Sequence, residues 1–308
     1  MHKIAMIFPG QGSQKLGMLS DLTASYPLVS RTFAEASEVL AYDLWHVVQA
    51  DQARLNQTEY TQPAILTASV AIWRIYQSLN LPVPAYMAGH SLGEYSALVC
   101  AEVIDFADAV KLVAERGRLM QSAVPDGVGA MAAILGLSDQ EVRKACIDAA
   151  GSEVVEAVNF NSPGQVVIAG DKAAVERAIE QVKAMGAKRA LPLPVSVPSH
   201  CALMKAPAEK LARILDTVTI HMPKIPVIHN VDVQSHQNPV EIRMALTRQL
   251  YSPVRWSETI QTLAAKGCTQ FIECGPGKVL SGLNKRIVET AEVIAIGDLA
   301  GLEKGAVS

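Results

Sequence analysis

The sequence predicts an α/β protein, with a mostly parallel sheet covered by helices on both sides and a small βαββαβ insert in the middle. Three observations carry that expectation. Short apolar runs alternate with helical patterns up to about residue 125 and again from about residue 203, as strands joined by crossover helices do. Between them, residues 129–194 switch to two strand–helix units arranged about a turn signal. Half of the 308 residues are hydrophobic, enough for one large core or a large domain with a smaller insertion.

Taken in order, "IAMIFPG" reads as a buried strand ending in a Gly-rich loop. Helical patterns follow over roughly 30–41 and 61–79, the second opening at "TQPAIL" with Thr61 as cap and Pro63 in the first turn. "PAYMAGH" is the next strand, and "LGEYSALVCA" and "FADAVKLVAERGRLMQSAV" are helices, the latter led by Asp105. In the middle region "AMAAILG" is a strand and "SDQEVRKACIDAAG" a capped helix ended by Gly151. "EVVEAVN" and "QVVIAG" are strands parted by the turn signal "FNSPG", followed by the helix "DKAAVERAIEQVKAMG" and the strand "AKRALPL". That order is the ferredoxin-like split unit. The expected division is therefore 1–127 with 196–308, and 128–195 inserted. A helix from about 203, the strand "IPVIHN", helices near 240–250 and 256–266, the strand "TQFIEC", a helix after Gly277 and the strand "VIAI" complete the larger unit. The final "GLEKGAVS" is expected to fray.

Composition removes several function classes. Charged residues make up 19% of the chain and the formal net charge is −3, with no run of Lys and Arg that suggests nucleic-acid binding. No segment approaches an uncharged membrane span, since "AILTASVAIWRIY" is broken by Arg74. The apolar start is too short for a signal-peptide core and is cut by Pro9-Gly10. Five cysteines, odd in number and without metal-ligand spacing, read as free thiols in a reducing compartment. A cytoplasmic protein without a metal is expected.

The stretch "AYMAGHSLGEYSALV" holds Ser91 between Gly89 and Gly93, after a short strand and before a helix. G-x-S-x-G in that context is a nucleophile elbow: glycines two before and two after the serine let the sharp turn close, and the hydroxyl is lifted out of the sheet. A tight turn with a capping serine is the competing reading. The amide of Leu92 would face the space where an oxyanion forms. On an elbow His90 points away from Ser91 and is a poor base. His200, in "PVSVPSHCAL" directly after the insert, falls at a seam where clefts form; a surface loop histidine is the alternative. His2, His46, His221, His229 and His236 lack such a context. No acid lies near His200 in sequence, but a backbone carbonyl can hold the imidazole tautomer, so a Ser–His dyad suffices. The loop "FPGQGSQ" lacks either phosphate-cradle pattern and could supply a second oxyanion amide from Gln11.

Together these residues resemble the malonyl-CoA:acyl carrier protein transacylases of bacterial fatty-acid synthesis, over essentially the whole chain. The motifs are "FPGQGSQ", "TQPAILTASVA", "AGHSLGEYSAL", "ERGRLMQ", "GAMAAILG", "VNFNSPGQVVIAG", "PVSVPSHCALM", "RQLYSPVRW" and "GPGKVLSGL", in the family's order. The resemblance implies an α/β-hydrolase-like core with a ferredoxin-like insertion, and it implies a role for each site residue. Ser91 is the acylated nucleophile, His200 its base, and the amides of Gln11 and Leu92 the oxyanion hole. The main-chain carbonyl of Gln249 holds His200, Arg116 binds the free malonyl carboxylate, and His90 and Asn161 line the pocket. Malonyl-CoA is the donor, acyl carrier protein the acceptor, no cofactor is required, and the protein is a monomer. An acidic carrier implies a basic rim, for which Lys188, Arg189, Lys278, Lys285 and Arg286 are candidates. Ser199 before His200 departs from the Phe-His pattern that marks malonyl selectivity in polyketide acyltransferases, which leaves tolerance of an α-methyl group open. A serine hydrolase, a polyketide acyltransferase with another carrier, and a non-catalytic carrier-binding scaffold are the other readings.

Overall fold

The computed structural model describes residues 3–125, 127–195 and 197–307. His2, and Ser196 at the expected domain boundary, lie outside the described residues.

The first unit begins with β1 (Lys3–Phe8) and continues through α1 (Ser20–Ser25), α2 (Leu28–Leu40), α3 (Leu44–Ala50), α4 (Gln52–Leu55) and α5 (Thr58–Ser78). Then come β2 (Tyr86–Gly89), α6 (Leu92–Cys100) and α7 (Phe106–Gln121). After the insert, a 3-10 turn (Ala202–Met204) leads into α10 (Lys205–Leu215), β7 (Val227–Ile228), α11 (Pro239–Gln249) and α12 (Trp256–Ala265). The chain ends with β8 (Cys268–Glu273), α13 (Val279–Ile287), β9 (Glu292–Ala295) and α14 (Leu299–Val307). The five strands form one parallel sheet in the order β7-β2-β1-β8-β9. Strand β1 shows why its sequence is an unbroken apolar run. Met6 and Phe8 face the core formed with α5, α6 and α7, while Ala5 and Ile7 face the core formed with α12 and α13.

The insert runs β3 (Gly129–Leu135), α8 (Asp139–Ala150), β4 (Val155–Ser162), β5 (Gln165–Asp171), α9 (Lys172–Ala184) and β6 (Arg189–Pro192). Its sheet is antiparallel, in the order β4-β5-β3-β6, and its helices close a separate apolar core around Ile134, Val142, Ile168 and Val175. A capping box of Ser138 and Glu141 starts α8, and Gly151 at φ 59° ends it, as the sequence implies.

Local expectations fail at three helix ends. Helix α5 begins at Thr58, not at 61. The Thr61 hydroxyl donates back to the carbonyls of Leu55 and Gln57 instead of capping, and Pro63 sits inside the helix. Asp105 occupies the N-cap position of α7, but its side chain makes no capping bond. The C-terminal segment does not fray over its described residues. Leu302 is buried, the Leu299 amide donates to Asp21 at 2.8 Å, and Gly301 packs onto the Ala295 carbonyl so closely that a Cβ would lie 2.1 Å from its oxygen. Ser308 lies outside the described residues.

Candidate active site

The C-terminal ends of β1 and β2 carry the loop Pro9–Gln14 and the elbow Gly89–Gly93, and the two press together. A Cβ on Gly89 would stand 1.9 Å from the Gly93 carbonyl carbon, one on Gly93 2.0 Å from the Phe8 oxygen, and one on Gly10 2.4 Å from the His90 oxygen. Only glycine fits at such approaches. Ser91 itself is held at φ 52°, ψ −108°, a strained conformation for a residue with a side chain. Its hydroxyl does not cap α6.

The hydroxyl goes to His200 instead. Ser91 Oγ lies 2.7 Å from His200 Nε2, and His200 Nδ1 lies 2.7 Å from the Gln249 carbonyl oxygen. A carbonyl only accepts, so Nδ1 carries the proton, Nε2 is the acceptor, and the serine O–H donates to it. His200 is buried, at φ 67°, with its amide donating to the Leu250 carbonyl. Burial, and next the nearby Arg116 charge, push the imidazolium pKa down to about 3, against smaller opposing bonds from the Gln249 and Ser252 backbone. The imidazole is therefore neutral at neutral pH, the state a general base requires.

Arg116 comes from α7 and is only 1% exposed. Its Nη1 donates to Gln62 Oε1 at 2.9 Å, and its Nη2 donates to Gln249 Oε1 at 2.9 Å and to Ser91 Oγ at 3.2 Å. Its Nε makes no hydrogen bond among the described residues, and the guanidinium carbon stands 5.2 Å over the Tyr95 ring. Among the described residues no carboxylate lies within 4 Å of it. Burial lowers its pKa from the ordinary guanidinium value, and Tyr95 and Glu94 oppose that. A buried cation held by neutral oxygens is a costly arrangement that an incoming carboxylate would relieve.

The cavity between these groups has a volume of about 140 Å³. Gln11, Leu92, His90 and Ser199 border it on the core side, and Met131, Leu193 and Val195 on the insert side. His90 turns from the serine to Asn161, with Nε2 donating to Oδ1 at 2.8 Å. Asn161 thus stands behind His90, and it is Asn159 that borders the cavity. Asn161 lies at a register shift between Phe160 and Ser162 in the β4–β5 pairing. None of the five expected rim cations borders the cavity. Lys278 pairs with Asp298 at 3.4 Å, and Arg286 donates to Gln165. All five cysteines are buried free thiols. Among the described residues there is no group of three or more side chains able to hold a metal, and no helix is long and apolar enough to cross a membrane.

Sequence reasoning missed Gln62, which holds Arg116, and Glu94, His229 and Asn230, which are bonded together beside the elbow. Glu94 gave one signal: it is a lone acid inside the otherwise apolar helix "LGEYSALVCA", where an unpartnered charge would be expensive.

A serine on a strained elbow bonded to a carbonyl-held histidine, beside a buried arginine, is the kind of site found in acyl-transferring enzymes. The family model for the acyl transferase domain matches residues 5–305, and the chain belongs to that family. More particularly, it is similar to the malonyl CoA-acyl carrier protein transacylase of Escherichia coli K12, at 60% identity over 97% of each chain. It superposes on a crystal structure of an acyl carrier protein S-malonyltransferase from Vibrio cholerae with TM-score 0.96, 63% identity, and 98% and 99% of the two chains covered. It also matches a malonyl-transacylase solved in complex with its type II PKS acyl carrier protein, with TM-score 0.98, 57% identity and 99% of both chains covered.

Proposed function

We propose that the protein moves a malonyl group from malonyl-CoA to the phosphopantetheine thiol of acyl carrier protein, through a malonyl ester on Ser91. The observation that carries this reading is Arg116: a buried cation without a carboxylate partner, one nitrogen on the nucleophile, beside a cavity of about 140 Å³. Its planar fork matches a carboxylate bidentately. The names of the relatives and the carrier-bound neighbour support the same donor and acceptor.

His200 takes the Ser91 proton as the serine oxygen attacks the thioester carbonyl. The amides of Gln11 and Leu92, both at the cavity wall, receive the oxyanion. The intermediate collapses, the C–S bond breaks, and the CoA sulfur leaves with the proton from His200. The carrier thiol then enters, His200 takes its proton, the sulfur attacks the ester, and Ser91 is released with its proton restored. The Gln249 carbonyl keeps His200 in the required tautomer throughout, and His90 with Asn161 shapes the pocket. No step calls for a metal or cofactor.

The larger unit is read as an α/β-hydrolase-like core, residues 1–127 and 196–308, which the parallel sheet and the elbow support. The insert, 128–195, is read as ferredoxin-like, on its βαββαβ order, antiparallel sheet and separate core. A cytoplasmic location belongs to this reading, supported by five buried free thiols.

The test is discharge of the ester. Protein loaded with malonyl and mixed with holo acyl carrier protein is expected to pass the group to the carrier thiol faster than it releases malonate into buffer. Malonate release at one rate with or without carrier would make the enzyme a hydrolase.

A further inference from the structure

Glu94 is a buried carboxylate that the mechanism above does not use. It lies on α6, three residues beyond Ser91, and is 0% exposed. Its Oε1 accepts from His229 Nδ1 at 2.7 Å, and its Oε2 accepts from the Asn230 amide and from Gln249 Nε2, each at 2.9 Å. The last two residues each go on to hold the catalytic groups. Asn230 clamps the elbow, its Nδ2 donating to the Gly89 carbonyl at 2.7 Å and its Oδ1 accepting from the Ser91 amide at 2.8 Å. Gln249 donates from Nε2 to the Ser91 carbonyl at 3.0 Å, accepts from Arg116 at Oε1, and accepts from His200 Nδ1 at its main-chain oxygen.

A side-chain amide can present either end, whereas a carboxylate with both oxygens engaged by N–H groups only accepts. Two acceptors, Glu94 Oε2 and the Ser91 carbonyl, face one end of the Gln249 amide. That end must be the NH₂, so the end facing Arg116 must be the oxygen. We propose that Glu94 is a positioning residue for acyl selection, orienting the Gln249 amide and, through it, the Arg116 guanidinium that receives the substrate carboxylate. The inference rests on the transferase reading. Without the carboxylate only the Ser91 carbonyl still directs that end of the Gln249 amide, so the amide is held less firmly, and any flip turns NH₂ against the guanidinium and displaces it. A buried carboxylate is a poor device for stability alone, because desolvation offsets most of what its bonds return.

The experiment compares Glu94→Gln and Gln249→Met with the wild type. Each is mixed with malonyl-CoA or acetyl-CoA without carrier, and acylation of Ser91 is followed by intact mass. The readout is the ratio of the malonyl to the acetyl acylation rate, which does not depend on the fraction of protein that is folded. Both variants are expected to lose about tenfold or more of that ratio, the scale on which partners one step behind a functional group act, with malonyl falling further than acetyl. A wild-type ratio in folded Glu94→Gln overturns the proposal. If that variant does not fold, Gln249→Met decides alone, since it keeps the main-chain carbonyl that holds His200, and an unchanged ratio there overturns the proposal equally. A wild type that takes up neither acyl group overturns the transferase reading, and the inference with it, and shows itself without any variant.

Discussion

On the core side of the cavity, Ser91, His200, Arg116 and Gln249 are tied to one another by hydrogen bonds of 2.7 to 3.2 Å, from four separate segments of chain. On the insert side the wall is mostly apolar, Met131, Leu193 and Val195 with the polar residue Asn159, and Val195 is 37% exposed. The core side can present charge and proton acceptors in one geometry, because each group is held by at least one other. The insert side is suited to excluding water and yielding to an entering arm, because Met131, Leu193 and Val195 offer apolar surface there. On the proposed reading, chemistry and access fall to different parts of the chain, and changes on the two sides should differ in kind and in size.

The largest effect is expected at the elbow. Gly89→Ala places a methyl 1.9 Å from the Gly93 backbone, an overlap that only backbone movement can relieve. The loss should exceed about 4 kcal/mol, seen as failure to accumulate folded protein or a collapse of Tm. Next comes Arg116→Ala, which removes the proposed carboxylate site. Malonyl acylation should fall by roughly 10³-fold or more while acetyl acylation falls far less, since a site built around a polar group discriminates through it. The same change removes a charge that lowers the His200 pKa, so the acid limb of the pH profile should move to higher pH.

The pH dependence sharpens the contrast further. In the free enzyme the His200 pKa is about 3, below the unfolded value of about 6.5, so the native state binds fewer protons between those values. Stability should therefore fall as pH drops from about 6.5 towards 3, by up to about 1.4 kcal/mol per unit from this group, measured by denaturant melts across that window. When malonyl offsets the Arg116 charge, the base should recover part of its proton affinity. The kcat limb is then expected at higher pH than the kcat/KM limb. The smallest effect belongs to the insert side. Leu193→Ala should leave acylation within a few-fold and raise the fraction of ester lost to water, measured as malonate released per transfer, because packing at a half-exposed position contributes little to stability.

The same contrast explains what the sequence shows of the molecule. Ser91, Gly89 and Gly93 are legible because an elbow requires fixed residue types at fixed spacing, and β1 and β2 because two-sided burial writes continuous apolar runs. The capping box of α8 is read directly from Ser138 and Glu141. What is lost involves contacts between distant segments. Glu94 meets Asn230 and Gln249 across 136 and 155 residues, and no local pattern announces either bond. Asn161 was expected in the pocket, but it lies at an irregularity in the β4–β5 register and bonds His90, which alternation along a strand cannot anticipate. Helix α14 is ordered by burial of Leu302 and a bond to Asp21, neither visible in "GLEKGAVS".

The most direct measurement is intact mass of the protein after mixing with malonyl-CoA or acetyl-CoA, beside Ser91→Ala. A single malonyl addition, much faster than acetyl and absent from Ser91→Ala, is the predicted result. Equal labelling by both acyl groups, or a malonyl adduct that survives in Ser91→Ala, would contradict it.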